Sequence, residues 1–137
     1  MIVDSSALVA LLRGEGQASL IQEVLLAYES LISAATLVEV RAVVGGRFGA
    51  DGLRRLDALL RRFETEVVPF DTQQADTASA AYRDYGRGSR HPARLNLGDT
   101  FSYALAYVRD EPLMYVGDDF ARTDIRSALD EYGDAVR

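Results

Sequence analysis

Residues 1–13 read MIVDSSALVALLR, and this opening stretch decides the fold class. The apolar residues Ile2 and Val3 precede Asp4, a pattern typical of a short buried strand that ends at an acid. Two serines follow, and the apolar residues after them recur at helical spacing. The stretch therefore predicts a β-strand that turns directly into an α-helix, with Asp4 at the corner as a good N-cap residue.

The same order of strand and helix recurs along the chain. Further short strands are predicted at 30–34, 66–70 and 113–116. Helices are predicted at 18–28, from 36 to a stop near Gly45 and Gly46, and at 50–63. Two more are predicted from Thr72, as the capping residue, to 85, and at 97–108 with Leu97 facing the core. The segment 86–96, rich in glycine, is predicted to be a loop. This alternation predicts one α/β domain over residues 1–137, with a mainly parallel central sheet of four to five short strands.

The composition excludes several classes of protein. A hydrophobic fraction of 48% argues against a disordered chain. The chain has no cysteine, which excludes a disulfide framework and a thiolate metal site and suits a reducing compartment. No apolar run approaches the roughly 20 residues that cross a bilayer, and the amino terminus lacks the basic start of a leader sequence. We expect a soluble, cytoplasmic protein with no membrane partner.

The charge of the chain leaves a nucleic-acid partner open. The formal net charge is −6, which taken alone disfavours binding to phosphates. All 15 basic residues are arginines, however, and they cluster at 54–62 and again at 83–94. A bias of the genome toward arginine codons explains this usage, but clustered guanidinium groups also suit contacts to phosphates.

Position, rather than number, singles out a few of the 21 acidic residues. In open α/β sheets, ligands bind outside the carboxyl ends of the strands. The acids that lie at strand exits or in the first turns of helices are Asp4, Glu39, Asp99, Asp118 and Asp119. We expect these side chains to converge on one edge of the sheet.

Converging carboxylates repel one another, and burying them costs a further several kcal/mol of free energy unless their charge is neutralised. Hard divalent cations such as Mg²⁺ or Mn²⁺ neutralise them and prefer oxygen ligands. Such ions also activate water and stabilise the leaving oxygen in phosphodiester hydrolysis. The pattern therefore predicts a metal-dependent site for phosphoryl transfer.

Each acid also has an interpretation without chemistry. In this interpretation Asp4 is simply a helix cap, and Asp99 simply complements a helix dipole. Glu39 is then a solvated helix residue, and Asp118 and Asp119 are turn residues. The combination, not any one member, favours a site.

Three other side chains attract attention but are not assigned to catalysis. His91 lies in the loop and is expected to face solvent or RNA. Tyr103 and Tyr107 are one turn apart on the helix that carries Asp99, and they are expected to pack or to form an interface rather than to stack on bases.

Four motifs in register resemble those of PIN domains, and they span essentially the whole chain. They are MIVDSSAL at 1–8, ISAATLVEVR at 32–41, LNLGDTFS at 95–102 and YVGDDFARTD at 115–124. The resemblance is to the ribonuclease toxins of the VapC type, which belong to type II toxin–antitoxin systems. It implies a PIN-like three-layer fold and an endoribonuclease that uses Mg²⁺, with Mn²⁺ as an alternative.

The resemblance also implies roles for single residues. Asp4 and Asp99 match metal ligands, Glu39 matches the third acid, and Asp119 is favoured as the fourth, with Asp118 and Asp124 as alternatives. Ser6 and Asn96 are expected to support the site. The implied partners are an RNA substrate, with transfer or ribosomal RNA as candidates, a cognate antitoxin, and a second copy of the chain in a homodimer.

Three other functions fit the sequence less well. A phosphorelay receiver needs a lysine, which the chain lacks, and a haloacid-dehalogenase-like phosphatase needs a second aspartate where Ser6 stands. A catalytically degenerate PIN-like module that only binds protein or RNA is disfavoured, because Asp4, Glu39 and Asp99 are all present.

Overall fold

The computed structural model describes all residues from Met1 to Arg137. Four short parallel strands form a single sheet with the order β3-β2-β1-β4. The strands are β1 (Ile2–Val3), β2 (Leu31–Ser33), β3 (Glu66–Val68) and β4 (Leu113–Met114). The α/β class and the predicted number of strands are therefore confirmed.

Six α-helices flank the sheet. They are α1 (Ser5–Arg13), α2 (Ala18–Ala27), α3 (Ala34–Arg62), α4 (Thr72–Tyr85), α5 (Leu97–Arg109) and α6 (Ala128–Tyr132), and short 3₁₀ turns lie at Phe120–Arg122 and Asp134–Val136. None of the helices combines the length and the apolar character that crossing a membrane requires.

Two hydrophobic cores lie on opposite faces of the sheet. Because successive side chains of a strand point to opposite faces, Val3 joins the core under α1, α2 and α3, while its neighbour Ile2 joins the core under α4 and α5. Met114 and Leu113 of β4 divide in the same way. The result is the predicted three-layer arrangement, with β1 in the middle of the sheet.

The helices α1 and α3 begin at the carboxyl ends of the two inner strands of the sheet. Both β1 and β2 run directly into helices, with Asp4 and Ser33 as N-caps whose side chains accept hydrogen bonds from Ser6 N and Ala35 N. Both helices therefore start at the carboxyl ends of parallel strands, which places their first turns side by side.

Some local predictions were wrong. The helix expected to stop near Gly45 and Gly46 continues through both, and its break lies at Gly49, which has φ 65° and ψ −159°. Asp71, rather than Thr72, caps α4 by accepting a hydrogen bond from Gln74 N. Leu97 does not face the core, because it is 63% exposed.

Candidate active site

Asp4 is the most deeply placed acid of the chain, with only 1% of its surface exposed. Its Oδ2 accepts hydrogen bonds from the amide of Ser6 at 3.0 Å and from the hydroxyl of Ser6 at 2.6 Å. Its Oδ1 accepts a hydrogen bond from the Ser102 hydroxyl at 2.6 Å. Three donors thus hold the buried carboxylate in one orientation, and they offset much of the free energy lost when a charge leaves water.

Ser6 links this corner to the segment that follows β4. Its hydroxyl donates to Asp4 and also accepts a hydrogen bond from the amide of Val116 at 3.0 Å. Val116 immediately precedes the turn that carries Asp118 and Asp119. The fourth motif is therefore tied to the first through one serine hydroxyl.

Ser102 supports Asp4 from the other side, and the sequence analysis missed it. It lies on α5 one turn after Asp99, is fully buried, and shares a hydrogen bond of 3.1 Å with Thr36 of α3. The signal available in the sequence was the spacing of three residues from Asp99, which places both side chains near one face of the helix. The hydroxyls of Thr36 and Ser102 join α3, α5 and β1 at the buried side of the site.

Glu39 is held over the start of α5. Its Oε1 accepts a hydrogen bond from the Ser5 hydroxyl at 2.8 Å, so the residue next to Asp4 fixes this second acid. Its Oε2 fills the space that a Cβ on Gly98 would occupy. Burial, followed by the charge of Asp4, raises the pKa of Glu39 above its ordinary value, although the Ser5 hydrogen bond opposes this.

Asp99 is fixed by a reciprocal cap with Asn96. The Asn96 side chain accepts a hydrogen bond from the amide of Asp99 at 2.8 Å, and the Asp99 carboxylate accepts one from the amide of Asn96 at 2.9 Å. Burial is the largest influence and raises the pKa of Asp99 to about 7, with further contributions from the charges of Asp4, Asp119 and Glu39. Asp99 therefore experiences the field of all three other acids.

The three candidates for the fourth acid have different surroundings. Asp119 lies close enough to Asp99 for its charge to raise that residue's pKa. Asp118 and Asp119 are both exposed in this turn, but Asp118 is not among the charges that raise the pKa of Asp99. Asp124 instead accepts a hydrogen bond from the Tyr103 hydroxyl at 2.8 Å and lines a different cavity, together with Tyr85. We call Asp4, Glu39, Asp99 and Asp119 the acidic centre.

The remaining aromatic and imidazole groups have structural contacts. His91 is half-buried rather than free in solvent, because its Nδ1 accepts a hydrogen bond from the amide of Ala93 and its ring meets that of Tyr85 edge-on at 4.8 Å. Tyr103 is buried, and the exposed Tyr107 stacks on it at 5.9 Å. The expectation that both tyrosines take part in packing agrees with these contacts.

No basic side chain neutralises the acidic centre. None of the seven ion pairs of the structure includes one of its four acids. As placed, no group of three or more acidic or histidine side chains is complete enough to hold a metal ion by itself. Mg²⁺ is commonly held by one or two carboxylates and several waters, so an uncompensated set of carboxylate oxygens fits such a cation chemically.

Comparison with known proteins places the chain among relatives of one kind. Residues 1–126 match the PIN domain family. The ribonuclease VapC42 of Mycobacterium tuberculosis is 51% identical over 129 residues, which cover 93% of this chain and 98% of that protein. The ribonuclease VapC30 of the same species is 45% identical over 126 residues, or 91% of this chain and 95% of that protein.

A solved structure supports the fold. The crystal structure of VapC20 of Mycobacterium tuberculosis, described as a toxin that cleaves the sarcin–ricin loop, superposes with a TM-score of 0.71. The alignment covers 90% of this chain and 95% of that one at 16% sequence identity. At this level of identity the likeness concerns the fold alone.

Proposed function

This chain belongs to the PIN-domain family, and on that basis we propose that it is an endoribonuclease that hydrolyses RNA phosphodiester bonds at its acidic centre with the help of a divalent metal ion. We propose residues 1–137 as one such domain. The ribonuclease names of relatives that match nearly the whole chain support the activity.

One observation carries the proposal. Asp4 after β1, Glu39 on α3, Asp99 on α5 and Asp119 after β4 have no basic partner, and burial, together with the charges of the other three acids, raises the pKa of Asp99. A protein keeps such unfavourable proximity when something else supplies the missing positive charge. Carboxylate oxygens select a hard cation, which we propose to be Mg²⁺ or Mn²⁺.

In this proposal Asp4 and Asp99 hold the metal, and Glu39 and Asp119 complete the charge around it, with Asp118 as the alternative to Asp119. A divalent cation bound there would supply neutralisation of charge on the phosphodiester and on its leaving oxygen.

The other side chains of the site keep the acids in place. Ser6 and Ser102 fix both oxygens of Asp4, and Asn96 fixes the backbone turn from which Asp99 projects. Ser5 keeps Glu39 directed toward the start of α5. Such preorganisation lowers the reorganisation needed when substrate binds.

We further propose the setting in which the activity is used. The relatives' names point to a VapC-type toxin, and we expect a cognate antitoxin, assembly as a homodimer and a cytoplasmic location. Structured RNA, with transfer and ribosomal RNA as candidates, is the expected substrate. An arginine from the antitoxin would complement the uncompensated charge of the acidic centre.

The test is cleavage of total cellular RNA by the purified protein with Mg²⁺ or Mn²⁺, with the cut ends mapped. We expect a few discrete cuts that disappear with a chelator and in Asp99→Asn. Asp76→Asn, which removes an exposed acid of α4, is the matched control and should cut like the wild type. Cuts that persist in Asp99→Asn would contradict the assignment of the site. A folded wild type that cuts nothing with either metal would contradict the activity.

A further inference from the structure

A groove of about 600 Å³ opens beside the acidic centre. Its lining includes Ser5, Ser6 and Val116 as well as the two arginines Arg13 and Arg47. Glu15, in the turn between α1 and α2, is the one acid among its lining residues. The arginines of the groove therefore outnumber its acids.

The groove is continuous with the acidic centre through two serine hydroxyls. Ser6 donates to the carboxylate of Asp4 at 2.6 Å, and Ser5 donates to the carboxylate of Glu39 at 2.8 Å. Each of these serines thus contacts an acid and lines the groove at the same time. The groove therefore adjoins the acidic centre.

The two arginines lie at matching positions on neighbouring helices. Arg13 follows Ser5 by eight residues on α1, and Arg47 follows Glu39 by eight residues on α3. Eight residues of α-helix span about 12 Å. Both helices start at the same edge of the sheet, where Ser5 bonds to Glu39, so the two arginines lie equally far along their helices from this bond, and both line the groove.

Neither arginine is used by the fold. Both are exposed, and neither makes an ion pair or a hydrogen bond, whereas Arg41, Arg54 and Arg83 pair with aspartates. In addition, Arg55 donates to the carbonyl of Leu12 at 2.7 Å, which fixes the end of α1 next to Arg13. The fold thus anchors the position of Arg13 while leaving its charge free.

We propose that Arg13 and Arg47 form a phosphate clamp that holds the backbone of a single RNA strand as it leaves the acidic centre. This inference rests on the proposed ribonuclease function and deepens it by naming the residues that position the substrate. Guanidinium groups bind phosphate oxygens in a bidentate manner, and contacts to the backbone set register without reading sequence. A single strand fits because its phosphates recur along its length, so one phosphate at the acids brings another toward the clamp.

The clamp is tested by the binding of a short, fluorescently labelled single-stranded RNA, measured by anisotropy at several salt concentrations with Ca²⁺ in place of Mg²⁺. The variant is Arg13→Gln/Arg47→Gln, and the control is Arg62→Gln/Arg109→Gln, which removes two other exposed arginines without ion pairs. Arg62 lies on α3 as Arg47 does, but beside the first residues of β2 and β3, at the opposite edge of the sheet.

We expect the Arg13→Gln/Arg47→Gln variant to bind about tenfold more weakly for each arginine removed, and the control to bind like the wild type. The slope of log affinity against log salt should fall by about 1.4, which corresponds to two phosphate contacts on a single strand. Arg13→Lys/Arg47→Lys should restore this slope but only part of the affinity, because lysine keeps the charge and loses the bidentate geometry. Cleavage of an identified RNA should show a raised KM and an unchanged kcat.

Several results would overturn the clamp. One is equal affinity of the clamp variant and the control, and another is a wild type that binds no single-stranded RNA. A third is unchanged RNA binding by a clamp variant that loses a co-purifying protein, which would assign the arginines to a protein interface. The clamp and the proposed activity can also be told apart. If the wild type cuts no RNA, but the clamp variant binds RNA more weakly than both the wild type and the control, the result would support the clamp and contradict the proposed activity.

Discussion

At the scale of the residue, Gly98 shows how tightly the acidic centre is built. Its missing side chain leaves the space in which the Glu39 carboxylate lies, one residue before Asp99. Its neighbour Leu97 and the residue before Glu39, Val38, are 63% and 69% exposed, so apolar side chains flank the acids at the surface. Helical periodicity alone placed Leu97 in the core, because spacing cannot tell which of two adjacent faces the tertiary structure covers.

Gly98→Ala should impair RNA cleavage much more than it changes the stability of the fold. The added methyl group would displace the flexible end of Glu39 and break its hydrogen bond to Ser5. The loss of that bond is partly offset by the better helix propensity of alanine, so we expect the free energy of unfolding to change by only about 1 kcal/mol. RNA cleavage should nevertheless fall by roughly tenfold or more, as is typical when a catalytic carboxylate is misplaced.

Gly46→Ala is the matched control, because a Cβ there meets no other atom within 4 Å. It should stabilise α3 slightly and leave cleavage unchanged. The measurements are urea unfolding and the rate of RNA cleavage for both variants. A Gly98→Ala protein that cleaves at the wild-type rate would mean that the position of Glu39 does not matter.

At the scale of the element, α3 shows where local sequence rules mislead. Two adjacent glycines at 45 and 46 predict a helix stop, yet each costs only about 1 kcal/mol relative to alanine inside a helix. The contacts of the two helical segments outweigh that amount: Val40 and Val44 before the break and Leu56 after it are fully buried. Leu53 also packs over Gly45 across the bend. The break falls instead at Gly49, because its backbone angles are open essentially only to glycine.

Gly49→Ala is expected to destabilise the protein through the backbone alone. No atom lies within 4 Å of a Cβ at this position, so steric overlap with other residues does not contribute. The strained φ and ψ angles should lower the free energy of unfolding by about 1–3 kcal/mol. Urea unfolding checks this prediction, with Gly46→Ala in the same helix as the reference. A Gly49→Ala protein as stable as the wild type would show that α3 straightens without loss of packing.

At the scale of the whole molecule, the acidic centre opposes the stability of the fold. Asp99 has a pKa of about 7 in the folded protein, against an ordinary value of 3.8, because folding buries it among three other acids. A raised pKa means that the folded state favours the protonated form. The contribution of Asp99 is therefore most favourable below pH about 4 and is lost as the pH rises to about 7.

Asp99→Asn should consequently stabilise the metal-free protein, and its advantage over the wild type should grow between about pH 4 and pH 7. Added Mg²⁺ or Mn²⁺ should raise the Tm of the wild type but not of the variant, because only the wild type retains the full set of acids. Thermal unfolding over this pH range, with chelator or metal, measures both effects. An Asp99→Asn protein with a wild-type Tm at every pH would contradict the electrostatic argument, and one that metal stabilises equally would contradict the metal assignment.

The sequence by itself determined the alternation of strands and helices and the positions of Asp4, Glu39 and Asp99 at the starts of helices. These features depend on neighbours within a few residues, and hydrophobic periodicity and capping rules describe such neighbours well. The four motifs in register added the family, which the match over residues 1–126 bears out.

Only the tertiary structure decided which groups actually meet. Ser102 reaches Asp4 across 98 positions of the chain, Ser5 reaches Glu39 across 34, and Asp124 turns to Tyr103 while Asp119 lies near Asp99. The groove that unites Arg13 with Arg47 was equally hidden, since the sequence drew attention to other clusters of arginines. Contacts of this kind depend on how whole helices pack on the sheet, and no pattern within one helix encodes the distance to another.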